Sequence, residues 1–284
     1  KFTVNLGTDF ADYGRTTVSD KFHGNAANVG GRIAKTNTRT WSYTVNELVT
    51  YDRKFGDFSV NLLAGHEYYR YRYNYANAEK TGIQDGVDEL SPAVTTSDNS
   101  SYSNNYAIES YLSRLNFGYK DRYYLDASWR TDASSRFYKD NRWGNFWSIG
   151  ASWRVSQESF MASLKSWLSN LTAKISYGVQ GNDDLGTYYA WQGLYNYTWA
   201  NGSEAGAFAS KLENRSVTWE KNDNLNVGVE ASLFVGKARQ GAYHVICLIV
   251  LDLKDRDAIG LNDLLDPRHG KGDVLWLRLT LRLV

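Results

Sequence analysis

The chain has 284 residues, with 32 Lys and Arg against 31 Asp and Glu, and a formal net charge of +1. So even a balance leaves no basic footprint for nucleic acid and no acidic tail. Mean hydropathy is −0.51 and no run of 18 uncharged apolar residues occurs, so no helical membrane span is expected.

From the first residues the dominant pattern has period two, the mark of a strand with one dry face. The start, Lys1-Phe2-Thr3-Val4, enters mid-strand without a basic segment, an apolar stretch or a small-residue cleavage site. An exported protein of this kind would then be expected to have its true start upstream. Phe2, Val4, Leu6 and Phe10 alternate with Thr3, Asn5, Gly7 and Asp9. Trp41, Tyr43, Val45, Val49 and Tyr51 alternate with Ser42, Thr44, Asn46 and Thr50, with Glu47 interrupting the dry side. A polar turn at 52–57 leads into a run from Phe58 to about Tyr73. Tyr111 to Tyr119, Tyr123 to Trp129, Trp147 to Val155, Leu171 to Val179 and Leu225 to Leu233 repeat the pattern. About eight strands result, several longer than the 9–11 residues a tilted strand needs to cross a bilayer.

The connections alternate in length. Those at 52–57 and 120–122 are short. Those at 11–37, 74–105, 133–142 and 181–216 read as longer polar loops, and 156–169 as one or two helical turns on the short-turn side. Short turns at one end and long loops at the other mark an outer-membrane barrel. Tyr and Trp, 21 and 10 in number, end the dry faces as membrane girdles do. Arg, Lys, Asp and Glu lie mid-strand on the polar faces, which suits a wet lumen. A soluble sandwich also alternates, but its strands are shorter. The fold class expected is therefore all-β, an antiparallel transmembrane barrel segment.

Residues 111–160 carry a more specific signal. Tyr111-Leu112-Ser113-Arg114-Leu115-Asn116-Phe117-Gly118-Tyr119 leads to Arg130-Thr131-Asp132-Ala133-Ser134-Ser135-Arg136-Phe137, Arg142-Trp143-Gly144-Asn145-Phe146 and Trp153-Arg154-Val155-Ser156-Gln157-Glu158-Ser159-Phe160. Gln180-Gly181-Asn182-Asp183 and Thr218-Trp219-Glu220-Lys221 follow in order. Over about residues 1–235 the chain resembles the barrel of SusC/RagA-type TonB-linked outer-membrane proteins of the Bacteroidota. The resemblance implies a 22-stranded barrel in the outer membrane of a Gram-negative bacterium. It further implies an importer of oligosaccharides, or of peptides, rather than an enzyme. A SusD-like surface lipoprotein would lid the barrel, and the TonB–ExbB–ExbD complex would pull on a plug not found in this sequence. A small closed barrel, acting as an adhesin or anchor, is the alternative.

Residues 236–284 depart from that pattern. They hold 11 Leu and two aromatics, where the preceding 235 residues hold 16 Leu and 40 aromatics. The expected reading is a reading-frame error or chimeric join, with a real amphipathic strand through Leu275, Leu277, Leu279, Leu281 and Leu283 as its competitor.

Few residues suggest chemistry. His23 and His66 stand apart without further ligands at metal spacing, and Cys247 has no partner base, so neither a metal, a cofactor nor a catalytic residue is expected. Gly181-Asn182-Asp183-Asp184 lacks the spacing of a calcium loop and reads as a turn. Arg130, Asp132 and Arg136 read either as substrate contacts near the mouth or as a lumen ladder of opposite charges, the plainer choice. The run 188–199 offers Trp191, Tyr195, Tyr197 and Trp199, whose rings would stack on sugar faces; a membrane-edge girdle with strand continuation is the plainer choice there too. Tyr68 to Tyr73 reads as girdle, or as a strand rising above the membrane.

Overall fold

The computed structural model describes residues 1–201, 204–234, 244–255 and 276–283, with side chains described through 197, at 204 and over 206–232. Its strands are β1 (Phe2–Ser19), β2 (Arg32–Phe55), β3 (Phe58–Thr81), β4 (Thr95–Tyr119), β5 (Tyr123–Ser134), β6 (Trp143–Arg154), β7 (Leu168–Asn182), β8 (Leu194–Asn201), β9 (Glu204–Lys211), β10 (Glu220–Phe234), β11 (His244–Asp255) and β12 (Trp276–Leu283). Ten form one antiparallel sheet in the order β1 to β7, then β10, β11 and β12, while β8 and β9 make a separate hairpin. Residues 1–235 thus contribute eight strands to the wall. Among the described residues β1 pairs only with β2 and β12 only with β11. A small closed barrel would need those edges joined, so the wall is open.

Register sorts the side chains into two faces. Phe2, Val4 and Leu6 lie opposite Val49, Glu47 and Val45, and Ile149 lies between Ala127 and Tyr177. On this face Ile149 is 46% exposed, Ile175 51%, Val227 38% and Trp153 39%. Among the described residues no second sheet covers them, which removes the sandwich reading: apolar side chains this exposed need hydrocarbon. Rings border the band. Phe58–Tyr119 (4.7 Å between centroids), Tyr119–Tyr123 (6.3 Å) and Tyr123–Trp153 (6.4 Å) close the short-turn end. Trp41–Tyr43 (5.3 Å), Tyr43–Tyr68 (5.8 Å), Tyr111–Trp143 (6.1 Å) and Trp147–Tyr177 (5.6 Å) climb obliquely at the other, as strand tilt requires.

The opposite face is wet. Asn61 donates to Asp52 at 3.1 Å, Ser128 and Ser148 share a hydrogen at 2.6 Å, and Lys174 meets Glu230 at 2.6 Å. Arg114, Asp126, Ser128, Arg130 and Ser148 line a groove of about 470 Å³ along it.

The short turns are tighter than their sequence suggests. Phe55 pairs with Phe58, leaving only Gly56-Asp57 between strands, and Gly56 has φ 56°. Between β4 and β5, Lys120 (φ 53°) and Asp121 (φ 51°) both lie in the left-handed region. Replacing Lys120-Asp121 by Asn-Gly relieves that strain in a hairpin turn that favours the pair. The double substitution is expected to stabilise the complete barrel by about 0.5–1 kcal/mol, read from a denaturant titration in lipid. The connection after β6 contains two short 3-10 turns, Val155–Gln157 and Ser159–Leu164, in the helical-turn region expected. Its Glu158 accepts hydrogen bonds from Tyr123 Oη (2.6 Å), Trp153 Nε1 (3.1 Å) and Arg122 (3.1 Å), tying the turn to the girdle.

At the far end the expected loops shrink. The loop expected at 11–37 occupies 20–31, and that at 74–105 occupies 82–94, because β2, β3 and β4 run for 24, 24 and 25 residues. Above the lipid both faces meet water, so apolar alternation fades while the backbone ladder continues. The stretch expected as loop at 181–216 holds the β8–β9 hairpin. In the 236–284 stretch β11 and β12 extend the ladder from β10; its remaining residues, Leu275 included, lie outside the described ones.

Candidate functional site: the inner wall at the long-loop end

Where β6 and β7 part above the Trp147–Val179 pair, rings fill the gap. Phe137, fully buried, packs on Trp219 at 5.3 Å, and Phe146 meets Trp219 at 5.1 Å. Trp219 Nε1 donates to the Arg142 carbonyl (2.8 Å), and Asn141 donates to the Arg215 carbonyl (2.7 Å). A Cβ on Gly181 would sit 2.1 Å from Phe146 Cζ, so only glycine lets the ring in. This small core clamps the segments 135–142 and 212–219 together.

From that clamp the 183–193 segment folds onto the wet face. Asp183 accepts from Tyr106 Oη (2.8 Å) and Ser134 Oγ (2.6 Å). Arg136 donates to the Asp183 carbonyl (3.2 Å), pairs with Asp184, and stands over the rings of Tyr106 (5.1 Å) and Tyr188 (5.0 Å). Tyr188 in turn stacks on Tyr71 at 6.3 Å, and Tyr189 Oη accepts the Asn105 amide at 3.1 Å. The Arg136 guanidinium, helped by the Gly186 amide, holds the Asp184 carboxyl below the usual carboxylate range. Docking of the segment therefore has its full contribution from Asp184 above about pH 4 and loses it as pH falls through the lowered value. Arg136→Ala removes charge-assisted bonds from a side chain that is 13% exposed. Protease cleavage within 183–193 at neutral pH is expected to quicken roughly tenfold to a hundredfold.

The residues singled out from sequence fall into separate places. Arg130 reaches Glu67 (3.0 Å), Ser110 (2.8 Å) and Asp132 (2.6 Å), and Asp132 is buried. Both belong to a ladder of opposite charges on the wet face. Arg136 holds the docked 183–193 segment through Asp183 and Asp184. Trp191 packs edge-on against Tyr138 at 5.3 Å in the same loop cluster. Tyr195 and Tyr197 stand exposed on the β8–β9 hairpin. Trp199 lies opposite Gly206 there, its side chain outside the described residues. The hairpin tyrosines and the Arg130–Asp132 pair are thus on different parts of the fold.

Sequence reasoning gave no role to Tyr106, Phe137 or Trp219; it read Asp183 as part of a turn and had Tyr188 at the start of the aromatic run 188–199. It read Tyr69, Tyr71 and Tyr73 as girdle or as a strand rising above the membrane, without separating their two faces; β3 does continue to Thr81. Register places them on the wet face with Glu67, opposite Thr44, Ser42 and Thr40. The signal was present in the alternation: Tyr68, Arg70 and Arg72 take the outer side, so their neighbours must face inward.

Comparison with known proteins agrees with the wall's architecture. No protein-family model matches the chain. TonB-dependent receptor P26 of Formosa agariphila is 31% identical over 217 residues, 73% of this chain and 22% of that protein. TonB-dependent receptor SusC of Bacteroides thetaiotaomicron is 26% identical over 245 residues, 84% of this chain and 24% of that protein. The solved structure of the RagAB peptide transporter superposes on 89% of this chain and 28% of its own, with a TM-score of 0.78 and 24% identity. The chain spans about a quarter or less of the curated relatives it matches. In sequence and fold alike, it belongs to the SusC/RagA-type TonB-dependent receptors of the outer membrane, as a stretch of their barrel wall.

Proposed function

We propose that this wall serves a TonB-dependent importer that brings oligosaccharides, or peptides, across the outer membrane. The observation that carries the reading is the pairing of an uncovered apolar face with a hydrogen-bonded polar face on an open sheet. Such a wall, completed by further strands, encloses a hydrated passage. The short turns face the periplasm and the long loops the outside. A SusD-like lipoprotein would cap the loop end, where the β8–β9 hairpin presents Tyr195 and Tyr197 to solvent. The TonB–ExbB–ExbD complex would act through a plug contributed by the complete receptor. Peptides enter this reading because RagAB is described as a peptide transporter. Arg130, Asp132 and Arg136 shape the lumen wall, and Trp191, Tyr195, Tyr197 and Trp199 stand as candidate contacts at the mouth. No step makes or breaks a covalent bond.

The test is uptake of labelled oligosaccharide and peptide pools by the source bacterium. Deleting the receptor gene, or the gene for TonB, should abolish uptake of one pool; uptake of both pools unchanged by either deletion overturns the reading. We further propose that residues 236–284 arise from a reading-frame error or chimeric join, supported by the change from aromatic-rich to leucine-rich composition. An unshifted source DNA sequence through codon 236 would refute it.

A further inference from the structure

Above the outer aromatic border, β2, β3 and β4 stand side by side with both faces in water. Lipid explains aromatic rings on the outer side of such strands, but not on the inner side. Yet the inner face here is built from rings. Register gives five successive rows: Thr44–Tyr69–Ile108, Ser42–Tyr71–Tyr106, Thr40–Tyr73–Asn104, Thr38–Tyr75–Tyr102 and Thr36–Asn77–Ser100. Not one of these fifteen positions is charged. Every β2 position is a hydroxyl, and β3 supplies four tyrosines in succession.

The rings form one connected band. Tyr75 stacks on Tyr102 at 4.9 Å, Tyr73 meets Tyr102 at 5.9 Å, Tyr69 meets Tyr106 at 6.0 Å, and Tyr188 bridges Tyr71 and Tyr106 at 6.3 and 5.9 Å. Tyr102 stays exposed, and Tyr69, Tyr71, Tyr73 and Tyr75 are half-buried. Among the described residues, only the lower part of the band is used internally, by the 183–193 segment docked through Tyr188. The upper part, Tyr73, Tyr75 and Tyr102 beside Thr38 and Thr40, has no covering segment among the described residues. Charges stand at the borders: Asp9 and Arg15 on β1, Glu67 below, Asp98 above, and Arg136 where the docked segment crosses.

Flat apolar ring faces next to uncharged hydroxyl and amide groups match one ligand chemistry best. A pyranose presents C–H groups on its faces and hydroxyls around its rim, so ring stacking and hydroxyl hydrogen bonds are satisfied together. A peptide would bring a charged terminus or side chains that find no counter-charge in these rows. We propose that the inner face of β2–β4 is a binding surface for a neutral oligosaccharide lying along the wall, with Tyr73, Tyr75 and Tyr102 as its stacking platform. The proposal rests on the importer reading and narrows its cargo.

The experiment uses the complete receptor carrying this wall, purified in detergent. Maltohexaose, cellohexaose and mannohexaose are the neutral probes, a hexaguluronate the charged saccharide and hexaalanine the peptide; binding is followed by calorimetry. At least one neutral hexasaccharide should bind better than hexaguluronate and hexaalanine. Tyr75→Ala and Tyr102→Ala should each weaken it roughly tenfold, as the loss of one stacking partner implies, while Tyr75→Phe and Tyr102→Phe retain most of it. Retention in the Phe variants, with unchanged thermal melting of all four, separates stacking from a folding defect. Binding indifferent to the Ala variants, preference for hexaalanine or hexaguluronate, or no binding of any neutral probe overturns the proposal. Uptake by cells still dependent on TonB in those same cases would leave the importer reading standing, so the two fail separately.

Discussion

Phe137→Ala is expected to cost the loop end of the complete barrel about 3–5 kcal/mol, the usual range for truncating a buried aromatic ring. Phe137 has no exposed surface and contacts Trp219, itself wedged on Phe146 between the parted ends of β6 and β7. Little else can fill the void, since backbone hydrogen bonds of β5, β6 and β7 fix its walls. Of the membrane-crossing strands, β4 and β6 lend it only Ile108 and Phe146, from their loop-side portions, so the loss is local. Amide exchange should accelerate in 135–142 and 212–219 while exchange in β5 between Tyr123 and Trp129 stays slow. Uniform acceleration through both regions would contradict the separation of loop core from barrel wall.

Ile149→Arg should cost about 2–4 kcal/mol in a lipid-refolding titration of the complete barrel, the penalty of a guanidinium near the bilayer midplane. Ile149 sits on the uncovered face between Ala127 and Tyr177, with Trp147 and Trp153 two and four residues away towards the two borders. Ser148→Arg, one residue along, faces Ser128 and the polar groove, where water and Asp126 receive the charge. Its cost should fall well below that of Ile149→Arg. Equal costs would mean that the two faces meet the same solvent, and the barrel reading would fall with the face assignment.

Both expectations depend on the same physical division, and so does the question of how much could be read from the chain alone. Where one side of a strand meets hydrocarbon and the other water, residues must alternate, and Tyr123–Trp129 or Leu171–Val179 state their faces outright. That is why the all-β class, eight wall strands in the first 235 residues, the short turns and the family resemblance were legible in the sequence. Above the lipid the constraint lapses. Thr95 to Asn105 carries no alternation, yet pairs with β3 almost residue for residue because backbone hydrogen bonding does not depend on side-chain polarity. The β8–β9 hairpin likewise gave no clear two-sided pattern.

Contacts between distant loops lay further still beyond reach. Arg136 with Asp183 and Asp184, or Asn141 with Arg215, join residues 47 to 74 positions apart, and no local rule sets such pairs. What the sequence determined by itself was which residues alternate, hence which edges of the chain could face lipid. Only the tertiary structure decided which face the tyrosines of β3 share and which loops fold back upon them, because register between strands, not order along one strand, brings those rings together.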